Sequence, residues 1–416
     1  MSYRSGRRVR RGFAVALACA AGWLALADAA IAQRWKPNET QVSAQADLID
    51  PEFSQSRGMF VWSDEVGNLW LGRVNRATGE FEPPNGKAIL VDPDTMRFED
   101  AQKTKNGPEW VSTWLGDHIV HTKYAGRHTD GNSRIGYAYD LPDGTWVSGY
   151  LDANLPRKAP YGSVTPGDPQ PRITYVDHRE NHYWRNLWDA GSEQPIADFP
   201  ASNYPIYHVD GARAVLYPLN VDGVDQVHYR DLDTGVVEQL TFDPGHKYQM
   251  FMWPAPEFGG EMVFFTLVDE IELRVYRKLP DPATGVPRWT PIIGHKAKRG
   301  MKLFSPEPFT WDGKSYAFMA ASVRPNKFRS EIWIANLDAS APIFRRITDN
   351  SVLRTRTDPE VFVTDRGPLV YYNRLVPEDD GSGNVSSCRR IHCSEGVWRA
   401  DPGLVPAPRR RDGGAR

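Results

Sequence analysis

Three groups of residues in this chain have types and spacings suited to chemistry. The densest is Asp177-His178-Arg179-Glu180-Asn181-His182, with Tyr183 and Trp184 beside it. His178, His182 and Glu180 can exchange protons near neutral pH, Arg179 can grip a carboxylate or sulfate, and Trp184 offers a face to a sugar ring. Such a set suits removal of a C5 proton from an acidic polysaccharide, with arginine balancing the developing charge. Metal ligation by His178 and His182 is less favoured, because an i, i+4 pair converges on a helix and this segment has loop or strand character. A second polar run contains Lys123, Tyr124, Arg127 and His128. The third group is a recurring carboxylate: Glu52, Glu109, Glu257, Glu307 and Glu360 each directly follow a proline.

The elements that position these groups come from a repeat. Pro-Glu followed by aromatic or β-branched residues begins at Pro51, Pro108, Pro256, Pro306 and Pro359, and weaker copies begin at Pro160 and Pro205. The seven prolines lie 45 to 57 residues apart, and a glycine follows each within eight residues: Gly58, Gly116, Gly167, Gly211, Gly260, Gly313 and Gly367. Proline, apolar run, glycine, apolar run describes strand, tight turn, strand. A third run such as Leu273 to Tyr276 follows, then a Thr-Gly or Asp-Gly turn, then a fourth run such as Val236 to Thr241. The expected fold is all-β: a seven-bladed β-propeller of four-stranded antiparallel blades over residues 33–402. The last unit lacks a fourth strand of its own, so Thr40 to Ile49 is expected to supply it and close the ring.

This pattern resembles that of the TolB-like and related six- to eight-bladed propellers of bacterial envelopes and secretions, over about 350 residues. It departs from TolB in having no distinct N-terminal α/β domain, and its Ser-Pro-Asp-Gly turn survives only in altered forms such as Trp311-Asp312-Gly313. The resemblance implies that loops between blades, and between second and third strands, open on one face around a central channel. It thereby places Glu52, Glu109, Glu257, Glu307 and Glu360 near the channel mouth. Carboxylates gathered there repel, and a divalent cation such as calcium would suit them; no other cofactor is implied. Repetition in five blades favours a different role, a brace, each glutamate accepting backbone N–H bonds from the next blade.

Residues 1–32 have the form of an export signal: five arginines, an apolar stretch from Phe13 to Ala27, and Ala30-Ile31-Ala32 as a cleavage site. The expected location is periplasmic or secreted, with no membrane span after cleavage. Cleavage removes five Arg and one Asp, which leaves 45 basic and 51 acidic groups and a formal charge of −6, and this excludes nucleic acid as a ready partner. Cys388 and Cys393 then remain and are expected to form a disulfide. Residues 403–416, with Arg409-Arg410-Arg411, are expected to be a disordered basic tail. The resulting expectation is an exported, monomeric propeller that binds a glycan, small ligand or envelope protein at its channel-mouth face. Its alternative is a lyase or hydrolase of an acidic polysaccharide.

Overall fold

The computed structural model describes residues 37–97, 106–152, 154–196, 206–323, 329–379, 385–386 and 391–404. The export signal, Pro205, Cys388 and the tail from residue 405 lie outside the described residues. From Asn38 onward the strands form seven antiparallel blades, six of them running from an inner strand outward in chain order and the seventh taking its outer strand from the N-terminal end. The inner strands are Glu52–Ser54, Glu109–Thr113, Lys158–Gly162, Tyr207–His208, Lys247–Ala255, Met301–Trp311 and Thr355–Thr364. In blade one the outer position is split between Phe81–Glu82 and Ile89–Asp92, both paired with Leu69–Val74. All seven turn glycines adopt positive φ, between 65° and 135°, where a side chain would be strained.

The core lies between blades rather than within them. Trp253, Phe265 and Val275 of blade five pack on Leu303, Met319 and Trp333 of blade six, and similar buried clusters join blades seven to one and one to two. Each side chain so buried contributes about 1.5–3 kcal/mol of transfer free energy, so neighbouring blades hold one another.

The N-terminal segment closes the ring, although as a shorter strand than Thr40 to Ile49. Glu39–Ser43 pairs antiparallel with Ser394–Ala400 and forms the outer edge of blade seven. Pairing stops at Ser43 because Leu48 must turn inward to the core shared by blades seven and one. Gly396 lets the two backbones approach, since a Cβ there would stand 2.1 Å from the Ser43 carbonyl oxygen.

A buried ion pair locks this closure. Arg356, on the inner strand of blade seven, donates to both Glu39 oxygens at 2.8 and 3.0 Å, to Ser330 O at 3.0 Å and to Asp349 O at 2.7 Å. Tyr372 donates to the same glutamate, and the Arg356 and Glu39 side chains are only 1% and 6% exposed. Removing one member of a buried pair leaves the other charge uncompensated, which costs about 3–5 kcal/mol. Glu39→Ala should lower stability by an amount in that range in denaturant melts; a loss below about 1 kcal/mol would mean that the pair does not secure the ring.

Candidate functional site

The inner strands are bulged. Asp50, Ala159, Gln249, Ser305 and Asp358 take φ between 42° and 55°, and two residues after each comes the residue turned toward the axis. Pairing shifts mark the bulge between Lys158 and Tyr161, Tyr248 and Met250, Phe304 and Glu307, and Thr357 and Glu360. A bulge re-aims side chains in this way. The ring residues in blades one to seven are Glu52, Glu109, Tyr161, Tyr207, Phe251, Glu307 and Glu360. All seven line a central cavity of about 820 Å³, together with Asp50, Asp210 and Asp358.

Blade five corrects the expected register. Its axial residue is Phe251, whereas Pro256-Glu257-Phe258 is a 3₁₀ turn leading to the second strand. Glu257 is therefore away from the cavity and accepts hydrogen bonds from Ser315 N at 2.9 Å and Ser315 Oγ at 2.8 Å in blade six. Of the five repeated glutamates it is the one that braces a neighbouring blade among the described residues. The Pro-Glu-aromatic resemblance misled here because proline also suits the first position of a helical turn.

The four axial glutamates and Asp50 form a tight acidic group. One carboxylate oxygen each from Asp50, Glu52 and Glu360 lies within 4.8 Å of the others. None of Asp50, Glu52, Glu109, Glu307 and Glu360 forms an ion pair with a lysine, arginine or histidine among the described residues. Burial, and then the charges of Glu360, Glu109 and Asp50, raise Glu52 well above the usual carboxylate range. Glu109 and Glu360 are raised for the same reasons. Burial pushes Asp50 and Glu307 up to about 8, with help from Asp358 and Asp50 respectively, and pushes Asp210 to about 7.

The other sequence candidates lie elsewhere. Asp177 accepts from Arg179 N, Asn181 N and Asn181 Nδ2 at 2.8, 2.9 and 3.0 Å, folding the dense polar run into a tight turn between two strands. Blade one makes the same turn, with Asp64 accepting from Gly67 N, Asn68 N and Asn68 Nδ2. His178 and Arg179 are exposed on this turn, Glu180 occupies its positive-φ position at 64°, and His182 is buried on the next strand. The turn does not bring the two histidines and Glu180 together with an axial carboxylate. Trp184 is half-buried in the core between blades three and four, with the Arg172 guanidinium 5.4 Å from its ring. Lys123 is buried and donates to Asp92, which also meets His121 at 3.2 Å; Arg127 is exposed, and His128 stacks on Tyr124.

Sequence reasoning missed Asp50, Asp358, Tyr161, Tyr207 and Phe251. A signal for the first two was present, since Asp-Pro-Glu occurs both at Asp50-Pro51-Glu52 and at Asp358-Pro359-Glu360. Tyr161 stood in the weaker Pro-Tyr copy.

No family model matches the sequence, and no curated protein matches it. Solved structures similar to this chain include TolB from Acinetobacter baumannii, 14% identical over 83% of this chain and 79% of that one, with a TM-score of 0.36. A putative TolB from Agrobacterium tumefaciens is 17% identical over 60% and 83%, with a TM-score of 0.34. A protein of unknown function from Dyadobacter fermentans is 13% identical over 71% and 93%, with a TM-score of 0.39. The TolB-like resemblance is one of fold. Among the described residues no helix is long and apolar enough to cross a membrane.

The raised carboxyls bind more protons in the folded than in the unfolded protein, so they lower stability as pH climbs from their ordinary values toward about 8. Burial lowers His118 and His208 to about 4, which increases stability with pH, but only up to the ordinary histidine value of 6.5. Between about pH 6.5 and 8 the carboxyls therefore dominate. The unfolding temperature should fall across that window, and Glu307→Gln should flatten the fall; a flat or rising wild-type profile would contradict the arrangement.

Proposed function

We propose that this protein is an exported, ligand-binding propeller whose central cavity takes a positively charged ligand. The observation that carries this reading is the group of axial carboxyls without basic partners among the described residues. Bringing such groups together costs free energy, and a bound cation offsets that cost by favouring their ionised forms. Calcium is the simplest occupant, since Asp50, Glu52 and Glu360 offer closely spaced oxygens. A cationic group on an envelope protein partner would meet the same need. The function assigned is binding, by a monomer, with export resting on residues 1–32.

The second sequence reading, cleavage of an acidic polysaccharide by the His178 to His182 run, loses support on two grounds. The run is a turn that blade one repeats, and an acidic cavity repels a polyanion. The Cys388–Cys393 bridge belongs to the same proposal: Cys393 is buried, and Cys388 lies outside the described residues. Mass spectrometry of the unreduced protein should give a linked Cys388–Cys393 peptide, and free thiols at both positions would refute the bridge.

Protons and cations compete for the same carboxyls. Calcium chloride or a cationic ligand should raise the unfolding temperature more at pH 8 than at pH 6, and matched sodium chloride should not. Indifference to every cation tried, or stabilisation by anions instead, would overturn the reading.

A further inference from the structure

The seven blades do not contribute alike to the cavity. Going round the ring, blades six, seven, one and two present Glu307, Glu360, Glu52 and Glu109. Blades three, four and five complete the circle with Tyr161, Tyr207 and Phe251. An acidic arc therefore faces an aromatic arc across a space of about 820 Å³. On the aromatic side, Tyr207 packs on Phe251 with ring centroids 4.8 Å apart. Tyr207 is only 9% exposed and lines the cavity, and its hydroxyl has no hydrogen-bond partner among the described residues. The rest of the side chain is packed away while its hydroxyl opens into the cavity, so this unpartnered donor is a second mark, beside the acids, that suits a ligand carrying polar atoms.

These two arcs fit one kind of occupant better than a bare metal ion. A hard cation prefers oxygen on all sides, and Phe251 supplies none. An ammonium or guanidinium group takes hydrogen bonds from carboxylates and is also attracted to aromatic faces. Resting on the reading that the cavity binds a positively charged ligand, we propose that this ligand is a small organic cation, a protonated amine or guanidine with an apolar body. Its charged end lies against Glu52, Glu109 and Glu360, and its body lies against Tyr161, Tyr207 and Phe251. The Tyr207 hydroxyl meets a polar atom of the ligand.

Isothermal titration calorimetry on the full chain at pH 7.5 tests this. The probes are phenethylamine and agmatine as organic cations, calcium chloride as the bare ion, and 3-phenylpropionate as an anion of matched shape. Both organic cations should bind and the anion should not. Phe251→Leu should weaken phenethylamine by about 5-fold, the loss of one aromatic contact with the ligand's body, and leave the calcium response unchanged. Tyr207→Phe, which keeps the ring and its packing, should weaken agmatine by about 3- to 10-fold through the lost hydrogen bond. Binding of calcium alone, or of organic cations in a manner indifferent to both variants, would overturn this inference and leave the cation reading in place. Binding of neither calcium nor an organic cation would overturn both.

Discussion

Closing seven sheets into a ring forces one side chain from each inner strand into a single axial space. The rest of this site follows from that constraint. The positive-φ residue within or just before five of the inner strands, at Asp50, Ala159, Gln249, Ser305 and Asp358, turns the residue two positions later toward the axis. Where the axial residue is glutamate, in four adjacent blades, the fold concentrates negative charge in one cavity, and both burial and repulsion favour the protonated forms. The charge is a property of the ring, since no single blade would create it.

Such an arrangement stores unfavourable free energy, and the fold tolerates it because stability is supplied elsewhere. Apolar clusters between successive blades hold the sheets face to face. The first and last blades are joined through the N-terminal strand, with Glu39 buried against Arg356 and Tyr372. These contacts lie away from the axis, so the axial residues are free to serve binding at a cost to stability. The separation of a stable scaffold from a strained site is common in ligand-binding folds.

The architecture was legible in the sequence because the signals that fix it are local and recur. The turn glycines from Gly58 to Gly367 mark all seven tight turns, and the apolar runs after them fall within the observed second strands. The site was only partly legible. Proline before an axial residue marks blades one, two, three, six and seven, but blade five has Met250 there, and its Pro256 belongs to a turn seven residues past the bulge at Gln249. Tyr207 and Phe251 carry no motif at all; their role depends on which blades face which across the ring, a relation of closure and not of sequence. Conversely, the run from Asp177 to His182 looked chemical because an Asp-x-x-x-Asn turn gathers polar residues, and only its hydrogen bonds show the same turn at Asp64.

The central claim is that axial carboxyls share an uncompensated negative field. The most direct measurement is the titration of individual carboxyl carbons by nuclear magnetic resonance in protein labelled at glutamate and aspartate side chains. The account predicts at least one carboxyl with a midpoint near neutral pH or above, absent from the spectrum of Glu52→Gln or Glu307→Gln protein. Titration of every glutamate and aspartate at or below its ordinary value would contradict it.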